Sequence, residues 1–117
     1  MMQYSVLSYR VNTHPEECVA VGLIFIDTET GEFKTRVSDL KMKIARKILP
    51  DRAVFKLFEY YVKQFIKAEW TVDVLDHSAR HQNGLVKLSR PAPIACTMDY
   101  FDTMFFKSLE ENFIKKN

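Results

Sequence analysis

The 117-residue sequence predicts a single α+β domain, a mainly antiparallel sheet of about four strands with three main helices packed over it. Three observations carry that prediction. The run Val19-Ala20-Val21-Gly22-Leu23-Ile24-Phe25-Ile26 is apolar or small throughout and enters the polar turn Asp27-Thr28-Glu29-Thr30-Gly31. A strand with no water-facing side belongs deep in a sheet that other elements cover. Residues 32–37 then alternate, Phe33, Thr35 and Val37 on one side and charges on the other, as a half-solvated antiparallel partner does. Beyond Ser38 the apolar spacing changes from that of a strand to that of a helix.

The remaining elements follow in order. Residues 3–11 set Tyr4, Val6, Leu7, Tyr9 and Val11 among small polar side chains and are expected as the first strand. Pro15 breaks the pattern between Asn12 and Glu17. Ser38 or Asp39 caps a helix striped by Leu40, Ile44 and Ile48, which Pro50 ends, and Asp51 caps the next. Over residues 53–67 the apolar side chains cover about half of a helical wheel. Lys56, Glu59, Tyr60, Lys63 and Lys67 lie opposite, with Glu59 and Lys63 spaced for an ion pair. A short helix is expected over residues 72–80, a turn at Asn83-Gly84 and a strand at 85–89. Arg90-Pro91-Ala92-Pro93 requires extended, donor-poor backbone at the edge of the sheet. Asp99 is placed to cap a last helix in which Phe101, Phe105, Leu109 and Phe113 recur at every fourth position.

The first residues, Met1-Met2-Gln3-Tyr4-Ser5, have neither a basic lead nor a long apolar run, so no signal peptide is expected. No stretch approaches the length that crosses a bilayer. Cys18 and Cys96 stand apart without paired spacing, which fits two buried thiols in a reducing compartment, with a single disulfide between them as the lesser alternative. A cytoplasmic protein without membrane association or cofactor is the expectation. The net charge of +2 conceals an uneven distribution. Residues 32–67 hold ten Lys or Arg against four acids, a net of +6, so the rest of the chain carries −4.

Tyr4-Ser5-Val6-Leu7, the acidic Glu16-Glu17 and the Val21-Gly22 pair in its apolar strand together resemble the opening of a bacterial family, domain of unknown function 3037. Gly84-Leu85 through Ser89, followed by Pro91 and Pro93, is similar to the return strand of that family. The chain departs from the family pattern at Ala20, where an Asn is common, and at Ser8, near which the family places an Arg. The resemblance implies no activity for particular residues. Genes of that family often stand beside those of HipA-like kinases, so the resemblance implies an accessory or partner role at most.

Two clusters are candidate sites. Lys43, Arg46 and Lys47 fall within about 100° of a helical wheel, with Arg52 and Lys56 following beyond Pro50. Such a face can neutralise phosphates, with Tyr60 as a stacking surface; a solvated helix gives the same pattern. Lys41 falls nearer the apolar side and has to snorkel or lie in an unwound first turn. Asp73, His77 and His81 share one face of the short helix and are acceptable zinc or iron ligands, against a plain polar surface with an Asp76–Arg80 pair. The acids at either end of the central strand lie too far apart for one site, and Cys18 with His14 lacks an orienting third group. Gly22 points to a close contact or a bulge.

The leading functional expectation is a non-enzymatic accessory or protein-interaction module. The alternatives are a nucleic-acid-binding domain using Lys43, Arg46, Lys47, Arg52 and Lys56, and a metal-dependent hydrolase using Asp73, His77 and His81. Trp70 and Tyr60 lie off the main apolar stripe and mark a candidate homodimer face.

Overall fold

The computed structural model describes residues 1–10, 18–48, 51–81 and 85–111. Among these, five antiparallel strands form the sheet: β1 (Met2–Arg10), β2 (Cys18–Asp27), β3 (Phe33–Val37), β4 (Val86–Leu88) and β5 (Ala92–Ile94). The order across the sheet is β3-β2-β1-β4, and β5 pairs with β1 further along the same edge as β4. Three helices follow β3 in the chain: α1 (Asp39–Ile48), α2 (Arg52–Lys67) and α3 (Val72–Arg80). A fourth, α4 (Phe101–Phe105), continues as a π-helical turn over Phe106–Glu110.

The doubly apolar β2 serves two cores. Ile24 and Ile26 face one way and, with Leu7 and Tyr9 of β1, meet Phe58, Val62, Phe65 and Leu75 of α2 and α3. Leu23 and Phe25 face the other way and meet Phe101, Phe105 and Leu109. The expected helical cover is therefore divided, α1 to α3 on one face and α4 on the other. Repeats of four drift by about 40° per step on an α-helix of 3.6 residues per turn. The wider π turn offsets that drift and keeps Leu109 in the core with Phe101 and Phe105.

Local chemistry sets the junctions. Leu7 pairs with Gly22 but Ser8 with Ala20, so Val21 is an inserted residue and β2 bulges there. A Cβ on the adjacent Gly22 would stand 3.3 Å from the Phe65 ring and 3.3 Å from the Arg36 carbonyl. The glycine thus lets α2 lie close on the sheet, and the contact and the bulge expected there are both present. Ser38 caps α1, its Oγ accepting from the Lys41 N–H at 3.2 Å while its hydroxyl donates to Glu110 at 2.7 Å. Asp51 caps α2, accepting from the Ala53 N–H at 2.8 Å.

Other expectations need correction. Asp99 caps nothing: it lies inside a 3₁₀ turn ahead of α4, whose first residues lack a side-chain cap. Asp102, in the first turn, instead meets Lys34 at 3.6 Å and Arg36 at 3.4 Å. Among the described residues Glu59 and Lys63 form no ion pair within 4.0 Å, whereas Asp76 and Arg80 do, at 3.1 Å. Residues 92–94 form a fifth strand where only extended backbone was expected. The expectations for residues 12–17, Leu49, Pro50, Asn83-Gly84 and Phe113 lie outside the described residues. Cys18 and Cys96 are half-buried thiols, and burial raises the pKa of the Cys96 thiol. No helix of the described residues is long and apolar enough to cross a membrane.

Candidate functional site

The end of α2 creates the most distinctive surface. Ala68 leaves helical geometry, so the Phe65 carbonyl has no partner one turn on. The Trp70 indole supplies one: Nε1 donates to the Phe65 carbonyl at 2.9 Å, and the two rings tilt together with centroids 5.6 Å apart. Trp70 is only 7% exposed. This overturns its place in a homodimer face, since its position off the wheel reflects a chain that has already turned back. Thr71 then caps α3 by accepting from the Val74 N–H at 3.1 Å.

The turn holds α2 and α3 apart over the β1–β4 edge and leaves a cleft of about 410 Å³. Leu7, Val86 and Leu88 of the sheet line it together with Phe65, Trp70 and Val74, and its polar lining comes from Gln64, Lys67, Ser78 and His81. Tyr61 also lines it and touches Tyr60 with centroids 5.7 Å apart. Tyr60 is 55% exposed, Leu57 48% and Val74 43%, so the apolar character of the cleft runs out onto the surface. Beside this strip, Arg52, Lys56, Lys63 and Lys67 fall within about 60° on the wheel of α2. All four are exposed, and among the described residues none has an acidic partner within 4.0 Å. The cleft thus combines an apolar interior with a basic flank.

The expected basic residues divide between two helices. Lys43, Arg46 and Lys47 are exposed on α1, and Arg52 and Lys56 on α2. Ion pairs involve none of the five among the described residues. Lys41 neither snorkels nor lies in an unwound turn: it is buried within α1, and desolvation lowers its pKa. Lys63 and Lys67, outside the expected patch, extend the basic face of α2 to the cleft.

Asp73, His77 and His81 do lie on one helix and its C-cap. The imidazoles of His77 and His81 stack with centroids 4.1 Å apart and planes 23° from parallel. Nitrogen lone pairs lie in the ring planes, so stacked rings do not aim them at one point. His81 Nδ1 is also 3.0 Å from the His77 carbonyl, which makes it the donor there. Among the described residues no group of three or more His, Cys, Asp or Glu is placed to hold a metal ion. The geometry instead gives His81 a place in the lining of the cleft.

No family model matches the chain, and neither a curated protein nor a solved structure matches it.

Proposed function

We propose that this protein is a non-enzymatic interaction module whose α2–α3 cleft takes an apolar anchor from an acidic, amphipathic segment of a partner protein. The observation that carries the proposal is the cleft itself: apolar inside, with Lys67 in its lining and Arg52, Lys56 and Lys63 on the same side of α2, all four without acidic partners among the described residues. Apolar grooves accept one face of a helix, and charge on the rim selects and orients it. The first partner to test is the HipA-like kinase that the resemblance to domain of unknown function 3037 implies. Copurification with that kinase should survive nuclease and be abolished by Val74→Asp, while Lys43→Gln leaves it intact. Loss in both variants, or in neither, would refute the assignment of the cleft.

Nucleic-acid binding is the second reading, favoured by the exposed cations of α1 and α2 that have no acidic partner among the described residues. It requires an affinity that falls steeply with salt and is lost on charge reversal at Arg46 and Lys47. Salt-insensitive binding would end it.

A further inference from the structure

A second cleft, of about 590 Å³, lies where β4 meets the C-terminal half of α3. Its lining brings together Arg10 from the end of β1, Arg80 from the end of α3, Lys87 from β4, and Ser89 and Arg90 from the link to β5. No amphipathic pattern within one element accounts for cations gathered from such separate parts of the chain. Like charges brought into one cleft repel each other unless an anion joins them. Asp76 meets Arg80 at Nε, at 3.1 Å, along one edge of the guanidinium. Among the described residues neither Lys87 nor Arg90 has an acidic partner within 4.0 Å. Arg10 makes interactions of its own, so Arg80, Lys87 and Arg90 carry the inference.

The backbone beneath these side chains is built rather than loose. Leu88 pairs with Leu7 and Ala92 with Tyr4, so three residues of the edge strand span two of β1. The link is therefore a β-bulge, a device that redirects side chains. Ser89 fixes it twice: its N–H donates to the Val6 carbonyl at 2.9 Å, and its Oγ accepts from the Val6 N–H at 2.8 Å. That hydroxyl still has its own proton to donate. Pro91 restricts the preceding Arg90 to extended backbone.

We infer that this cleft binds a small ligand through a di- or triphosphate group. Guanidinium forks match phosphate oxygens in bidentate pairs, and the Lys87 ammonium of β4 and the Ser89 hydroxyl of the link that follows it add donors. No aromatic ring lines the cleft among the described residues, so recognition falls on the phosphate chain and not on what it carries. The inference is independent of the α2–α3 cleft.

Isothermal titration of the full chain with inorganic triphosphate at low salt tests it. Saturable binding is expected, weakened roughly tenfold or more by Lys87→Gln with Arg90→Gln, and changed less than about twofold by Lys43→Gln with Arg46→Gln. Where circular dichroism shows the first double variant unfolded, Arg80→Gln replaces it with the same expectation. Adenosine triphosphate binding as tightly as inorganic triphosphate supports recognition of the phosphate chain alone, and markedly tighter binding would overturn it by showing that the nucleoside is read as well. Competition by adenosine, absence of saturable binding, or equal losses in both double variants would overturn the inference. So would an oligonucleotide that triphosphate cannot displace, which would assign the charge to a nucleic-acid backbone.

Discussion

Replacing Trp70 with Phe separates the two jobs of this side chain, filling the space beneath the cleft and capping α2. The indole N–H is lost, and the Phe65 carbonyl is left without the partner it has at 2.9 Å. An unmade hydrogen bond of this kind costs about 1–3 kcal/mol. Trp70 is 7% exposed, so the smaller ring also forfeits nearly all of the area difference. At about 40 Å² and 25 cal/mol per Å² that is about 1 kcal/mol. Together the losses come to about 3 kcal/mol. An unfolding entropy of about 2.1 cal/mol/K per residue over this chain converts that to a Tm lower by about 12 °C. Far-ultraviolet circular dichroism reads the melt without relying on the fluorescence that the substitution removes. Hydrogen exchange should locate the damage: the Ala68 amide, bonded to the Gln64 carbonyl at 3.0 Å, loses more protection than Phe58. A Tm within about 4 °C of the parent would refute the reasoning, since under about 1 kcal/mol leaves no room for a capping bond.

Three further substitutions test the fold. Gly22→Ala places a methyl 3.3 Å from both the Phe65 ring and the Arg36 carbonyl, and should cost about 1–3 kcal/mol in urea unfolding. Any gain would show that α2 does not lie so close. Ser5 is fully buried and its Oγ has no hydrogen-bond partner among the described residues, so Ser5→Ala should stabilise by about 1 kcal/mol in the same measurement. A loss of stability would reveal a partner for that hydroxyl. Asp27 has its pKa lowered below 3.8, first by the Glu29 N–H that it accepts at 2.9 Å. Its contribution is present above 3.8 and is lost as pH falls through the lower folded value, so Asp27→Asn should flatten the acid limb of a stability–pH curve. Coincident acid limbs would remove Asp27 from the account.

The sequence made legible whatever depends on local period and caps. The β2 run, the α2 wheel, Asp51 as a cap and the bounds of α3 follow from neighbours a few positions apart. What stayed hidden depends on distant partners. Asp99 carries the chemistry of a cap, but a 3₁₀ turn holds it, and Asp102 in the following turn goes to Lys34 and Arg36 instead. Trp70 lies off the wheel of α2 because the helix has ended, and only the backbone reversal shows that its indole returns to Phe65. The basic face of α1 and α2 was visible as a local excess of Lys and Arg. Arg10, Arg80, Lys87 and Arg90 were not, because each stands in an ordinary local context and only the antiparallel pairing of β1 with β4 brings them together.

The placement of β1 bears on the order in which the chain can assemble as it leaves the ribosome. One edge of this strand is satisfied early, by β2 a few residues later. The other waits for β4 and β5, more than seventy residues downstream. Until those strands emerge, the paired β1 and β2 therefore present an open row of amides and carbonyls. Leu23 and Phe25 likewise remain bare until α4 emerges, and the opposite core, although α1 to α3 are already made, still lacks Leu88. A nascent chain stalled before residue 85 would offer both a sticky edge and an uncovered aromatic face, the combination that chaperones hold and that aggregates nucleate upon.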